Sequence, residues 1–368
     1  LRGTPGSTVQ LVIERPGVAG RQSYTVQRQH VLVRPVQRTM LLDAGVGYVS
    51  VRSFSDSAAI ELAHAVDSLH RAGMRSLVLD LRGNPGGLLQ QGAAVAELFL
   101  DPGQEIVALR GRGADGARVV TDERPQQWPD LRMVVLIDHA SASASEIVAG
   151  ALQDHDRALL IGRPTYGKGS AQSVFSFNGE EGGVKLTTAR WFTPSGRSLE
   201  PLPSDDGNFA IDDEPPARPV FRTDAGREVL GGGGIVPDVL AGDSVAPQGP
   251  RILFGALGAA LPKLRDAITA EAMALTAQGQ VPAYDMSITG QHRASVRQRL
   301  AARGVRVDDA AWDAGAEWVE RMLGNEAVRY ALGRAEETRR IVTRDPVVAL
   351  ARQRLRESGD ILGLTARH

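Results

Sequence analysis

From about residue 40 the chain alternates short apolar runs with amphipathic stretches, and this order limits the possible folds more than any other feature. Tyr48-Val-Ser-Val51 reads as a strand, and Asp56 to Ala72 as a helix with apolar residues at helical spacing. Ser76-Leu-Val-Leu-Asp-Leu81 predicts a buried strand, Leu88 to Leu100 a helix, Met133 to Ile137 a strand, Ser145 to Gln153 a helix and Ala158 to Ile161 a strand. Such alternation implies an α/β domain with helices packed on the sheet. Residues 172 to 192 predict two more strands, and Thr193 to Asp243, rich in Pro, Gly and Asp, predicts ordered loops closing the domain. Ahead of this region, residues 9 to 13 and 23 to 33 read as two strands joined by a turn, too small a unit to fold alone. Beyond residue 251 the pattern is helical and rich in Ala and Arg, with Trp312 and Trp318 spaced to face one core.

A length of 368 residues allows two or three domains. The formal net charge of −1 gives no overall pull toward nucleic acid or an anionic membrane. Cysteine is absent, which removes disulfides, thiolate metal sites and a cysteine nucleophile, and suits an oxidising envelope compartment. No run of 18 apolar residues occurs, so the sequence predicts no membrane span. The start at Leu1-Arg2-Gly3 suggests a processed or truncated product. Acidic residues gather at Asp205, Asp206, Asp212, Asp213 and Glu214 with a spacing that fits no calcium loop and reads as solvated loop.

Only Lys168, Lys185 and Lys263 among the 42 cationic residues are lysines. Arginine matches lysine as surface charge but stays protonated, whereas a buried lysine can lose its proton and act as a base. At the usual pKa of about 10.4, roughly one lysine in two thousand is neutral at pH 7, so such a role requires burial. Lys168 sits between glycines in Thr165-Tyr-Gly-Lys-Gly169, with no neighbouring charge in sequence. Upstream, Ser141-Ala-Ser143-Ala-Ser145-Glu146 joins a predicted strand to a predicted helix. Ser143-Ala-Ser-Glu146 matches a capping box, and a helix start also suits a nucleophile because its amides can hold an oxyanion. Asp80-Leu-Arg-Gly-Asn-Pro-Gly-Gly87 is a second turn of this kind, either a capped tight turn or a further source of amides. His139 and His155 lie near the serines without a motif to recommend either as base, and no Gly-x-Ser-x-Gly elbow occurs. Gly162 to Lys168 begins like a phosphate-binding loop, but Gly169 stands where Ser or Thr should hold magnesium, and a strand follows where a helix is required.

The ordered set Asp80 to Gly87, Ser141 to Glu146, Gln153-Asp154, Thr165 to Gly169 with Gln172, and Trp191-Phe-Thr-Pro-Ser-Gly-Arg-Ser198 resembles the carboxyl-terminal processing peptidases, or tail-specific proteases, over residues 1 to about 240. The resemblance implies that the middle serine, Ser143, is the nucleophile and that Lys168, 25 residues later, is the base. It further implies that Gln172 orients the lysine and gives Asp154 a charge-relay role, although a carboxylate beside Lys168 would favour its charged form. Oxyanion donors would be the backbone of Ala144 and of Gly86 or Gly87, with Gly87 favoured. The implied architecture is α/β, with a crotonase/ClpP-like protease core over 35–248. Residues 1–34 would be the remnant of a PDZ domain, and residues 249–368 a helical domain able to mediate homo-oligomers. Expected substrates are proteins or peptides with free, apolar C-termini in a periplasmic or secreted setting, with no cofactor, metal or nucleic acid. An inactive binding or scaffold protein on the same core is the alternative. Acyl-CoA chemistry on a related fold would leave the Ser143/Lys168 pairing without a purpose.

Overall fold

The computed structural model describes the chain except for residues 15–19, 31–32, 43–44, 112–116, 178–181, 201–217, 243–247 and 358–368. The acidic group from Asp205 to Glu214 therefore lies outside the described residues. Residue contacts divide the chain into two units, Leu1–Arg34 with Val245–Ile341, and Pro35–Ser244 with Val342–His368. In the first unit, β1 (Thr8–Glu14) and β2 (Arg21–Gln27) form an antiparallel hairpin that leaves Val12, Ile13, Tyr24 and Val26 exposed.

The second unit begins with β3 (Val36–Leu41), β4 (Val46–Val51), α1 (Ala58–Arg71), β5 (Ser76–Asp80), α2 (Leu89–Glu97), β6 (Glu105–Gly111) and β7 (Ala117–Thr121). It continues with β8 (Arg132–Ile137), α3 (Ala144–Asp154), β9 (Leu159–Gly162), β10 (Ser170–Ser176), β11 (Gly183–Phe192), β12 (Val220–Arg222), β13 (Glu228–Leu230) and β14 (Val239–Leu240). Six strands form the main sheet in the order β14-β9-β8-β5-β4-β3, parallel except at β3. Its central strands feed two cores. Leu77, Leu79, Met133, Val135 and Ile137 pack with α1, α2 and α3, while Val78, Val134 and Leu136 face the other way. A strand covered on both faces needs apolar residues at every position, which is why these segments read as unbroken apolar runs. A second, antiparallel sheet runs β10-β11-β6-β7. Its strands β6 and β7 lie where the sequence pattern predicts no element.

The helical unit contains α4 (Gln248–Leu257), α5 (Leu261–Ala277), α6 (Gly290–Ala301), α7 (Asp309–Ala314), α8 (Ala316–Leu332) and most of α9 (Arg334–Thr343). Leu253, Leu264, Ile268, Leu275, Val296, Leu300, Trp312, Val319, Leu323 and Val328 make its core. Trp318 packs against that core and meets Phe254 edge-on, with ring centroids 4.9 Å apart. The last helix, α10 (Pro346–Glu357), departs from the single helical domain expected over 249–368. Val347, Val348, Ala351 and Leu355 are spaced to line one helix face, and they are buried with Tyr48, Val78, Val134, Leu136, Leu159 and Ile161 of the main sheet. No described helix is long and apolar enough to cross a membrane.

Candidate active site

Strands β5 and β8 are parallel neighbours, so the turns leaving their C-terminal ends emerge side by side, the usual place for a site in an α/β sheet. The two turns are stitched together. Ala142 N–H and Ser145 Oγ both donate to the Asn84 carbonyl, at 3.0 and 2.8 Å. Ser141 Oγ donates to the Leu81 carbonyl at 2.9 Å, and Gly83 N–H to Asp138 Oδ1 at 2.9 Å. Ser141 and Ser145 are thus fully buried and committed to holding the turns. Ser143 between them is half-buried at the head of the predicted capping box with Glu146, and its side chain makes no direct cap hydrogen bond. Its φ of 56° and ψ of −114° lie where side chains are rarely found. Strain of that kind clusters at functional sites, and a sharp strand-to-helix turn is what projects a serine hydroxyl outward.

The glycine-rich turn approaches this serine directly. A Cβ on Gly86 would lie 2.9 Å from Ser143 Cβ and 3.0 Å from Ala144 N, and its φ of 98° also favours glycine. Gly86 N–H donates to Asn84 Oδ1 at 2.9 Å and is therefore occupied. Among the described residues, the amides of Gly87 and Ala144 have no hydrogen-bond acceptor. Of the three amides expected to act as oxyanion donors, these two remain available.

Glu146 gathers the rest of the site. It is wholly buried in the first turn of α3, where one oxygen accepts Ser143 N–H at 2.7 Å and Lys168 N–H at 3.0 Å. The other accepts Thr165 Oγ1 at 2.6 Å and Gly167 N–H at 2.7 Å. Burial pushes its pKa up, against the pull of these donors. Tyr166 N–H adds a bond to the Ser141 carbonyl at 3.0 Å. The backbones of Ser143 and Lys168 thus meet on a single carboxylate oxygen, while among the described residues no hydrogen bond joins Ser143 Oγ to Lys168 Nζ. In sequence Glu146 was visible only as the end of a capping box. Its role as acceptor for the lysine loop depends on tertiary contacts.

Two expected participants are placed elsewhere. Asp154 ends α3, so about 16 Å of helix separates it from Ser143. There its carboxylate pairs with the fully buried Arg197 and accepts Ser195 N–H at 3.0 Å. Burial lowers the Arg197 pKa, with Asp154 opposing. A carboxylate in this position is an anchor for the Thr193 to Ser198 turn rather than a relay beside Ser143. Gln172 is exposed on the edge strand β10, at a register shift after Ala171, and is not hydrogen-bonded to Lys168. His155 is occupied by Asp224 and the Glu105 carbonyl, both at 2.7 Å.

The α/β unit carries paired turns at the ends of neighbouring strands, and comparison with known proteins shows what the chain resembles. Peptidase family S41 matches residues 45–204. A carboxy-terminal-processing protease of Bartonella bacilliformis (strain ATCC 35685 / KC583 / Herrer 020/F12,63) is 39% identical over 211 residues, covering 54% of this chain and 46% of that protein. The carboxy-terminal processing protease CtpA of Bacillus subtilis (strain 168) is 36% identical over 196 residues, covering 53% and 41%. A solved photosystem II D1 C-terminal processing protease is 28% identical, with a TM-score of 0.44 and coverage of 67% of this chain and 58% of that one. Residues 45–204 thus match peptidase family S41, and the curated relatives similar to this chain are named as carboxyl-terminal processing proteases. The matched region spans less than half the length of these curated relatives.

Proposed function

We propose that the chain is a serine endopeptidase of the carboxyl-terminal processing type, with Ser143 as nucleophile and Lys168 as base. The observation that carries this reading is the sorting of the three serines. Ser141 and Ser145 are committed to backbone carbonyls, and Ser143 is left on a strained turn beside two unoccupied amides. Neutral Lys168 takes the proton from Ser143 Oγ as that oxygen attacks the scissile carbonyl carbon. The carbonyl oxygen becomes an anion held by the N–H groups of Ala144 and Gly87. Protonated Lys168 then gives the proton to the leaving amine, the acyl-enzyme forms, and a water deprotonated by Lys168 releases the new C-terminus. Gln172 would need to turn toward the lysine on substrate binding to orient it. Asp154 acts only through the fold.

The wider proposal retains a crotonase/ClpP-like core, residues 1–34 as the end of a PDZ domain, protein substrates with free apolar C-termini and an envelope setting. It also retains homo-oligomers through the helical unit. Labelling of the whole chain with a fluorophosphonate, followed by digestion of an unfolded protein, tests the chemistry. Labelling occurs in the wild type and disappears in Ser143→Ala. Lys168→Arg falls as far as Lys168→Ala, on the order of 1,000-fold or more, because arginine keeps the charge and cannot take the proton. A Lys168→Ala protein that cleaves at the wild-type rate, or a wild type that neither labels nor cleaves, defeats the reading and favours the inactive scaffold.

A further inference from the structure

We propose that Asp345, at the head of the C-terminal helix, is a positioning residue for the glycine-rich loop, so that α10 is a working part of the proteolytic site. The inference rests on the reading of that loop as an oxyanion donor. Asp345 has two tasks. Its Oδ1 accepts Val347 N–H at 2.8 Å and Val348 N–H at 3.2 Å, capping α10. Its Oδ2 pairs with Arg82 Nη2 at 2.9 Å. Arg82 stands at the root of the loop that leads to Gly87.

The same guanidinium grips the end of β5. Arg82 Nε donates to Asp80 Oδ1 at 3.0 Å and Nη2 to Asp80 Oδ2 at 2.7 Å, while the Arg82 backbone N–H also reaches Asp80 Oδ1 at 2.9 Å. Tyr48 Oη completes the group with a 2.7 Å bond to Asp80 Oδ2. Burial works against the Arg82 charge, but hydrogen bonds to Asp80 and the field of Asp345 outweigh it and raise its pKa. One arginine therefore joins three things: the end of a core strand, the start of the glycine-rich loop and the cap of a helix more than 250 residues later in the chain. Both carboxylates are largely buried, so the pairings are less screened than surface ion pairs.

Asparagine at 345 separates the two tasks. Asparagine caps helices about as well as aspartate, but once its oxygen faces Val347 and Val348 its amide –NH2 is turned on the Arg82 guanidinium. In Asp345→Asn, fluorophosphonate labelling of Ser143 slows about tenfold through misplacement of the donor loop, while amide exchange over residues 83–88 accelerates and Tm stays close to wild type. Asp345→Glu recovers part of the loss. Asp308→Asn, which alters the cap of α7 in the helical unit, leaves labelling and exchange unchanged. Unaltered exchange at 83–88 in Asp345→Asn overturns the inference, and so does faster exchange spread evenly over the whole sheet. Faster local exchange with undiminished labelling removes the functional half. Faster local exchange in a protein whose wild type never labels at Ser143 defeats the protease reading instead and leaves the positioning contact standing.

Discussion

Glu146 is the residue on which the candidate site turns, because one buried carboxylate holds four donors from the serine turn and the lysine loop. Glu146→Gln keeps the size and reverses one acceptor into a donor. Whichever way the amide sits, its –NH2 faces at least one of the N–H groups it should receive. An unsatisfied buried donor costs about 1–3 kcal/mol, so the variant loses several degrees of Tm and labels at Ser143 more slowly. The charge adds a pH signature. Burial raises the Glu146 pKa above its usual 4.5, so just above pH 4.5 the native state binds more protons than the unfolded state. Stability then falls as pH rises from 4.5 through the raised native value, even though the bonding to Ser143 and Lys168 is strongest for the ionised form. Denaturant midpoints across that range should show this slope in wild type and lose it in Glu146→Gln. Equal slopes in the two proteins refute the assignment.

At the scale of elements, α3 separates two functions by its two ends. Its start presents Ser143 and the Ala144 amide, which has no acceptor among the described residues, and its finish pairs Asp154 with a fully buried Arg197. Asp154→Asn leaves that guanidinium without a countercharge, and breaking a buried pair typically destabilises by about 3–5 kcal/mol. The expected result is a large fall in Tm with undiminished fluorophosphonate labelling per folded molecule at low temperature. A charge-relay role predicts the reverse, collapsed labelling at unchanged stability. These ends also show what could be read in advance. Strands β4, β5, β8 and β9 and the helices α1, α2 and α3 were legible because burial on both faces of the sheet makes apolar runs that periodicity detects. In sequence, Ser143 was singled out from its neighbours only by the resemblance that sets it 25 residues before Lys168, while the fate of Ser141 and Ser145 depended on the Leu81 and Asn84 carbonyls, which are distant in sequence. Strands β6 and β7 were not legible. The run Ile106 to Leu109 in β6 is flanked by Glu105 and Arg110 and was not read as a strand, and β7 offers only Val119 and Val120 between Arg118 and Thr121.

For the whole molecule, the S41 segment over 45–204 is shorter than the unit that has to fold. The helical pattern continues from 251 to 357 through several turns, and nothing in an amphipathic stripe says which surface will cover it. That is why the sequence assigns α10 to the helical domain, whereas its apolar face closes the α/β unit. A chain ending at Ile341 would keep the whole segment that matches family S41 and leave Tyr48, Val78, Val134 and Leu136 uncovered. Burying an aliphatic side chain contributes about 1.5–3 kcal/mol, so losing Val347, Val348 and Leu355 removes roughly 5–9 kcal/mol, most of the 5–15 kcal/mol by which a domain of ordinary stability stays folded. The truncated protein should bind a dye for exposed apolar surface and aggregate, with little Ser143 labelling. Supplying residues 342–368 as a peptide restores labelling to the extent that it restores the fold. A soluble truncated chain with wild-type Tm and labelling contradicts this, since the bare sheet face would then have no energetic consequence.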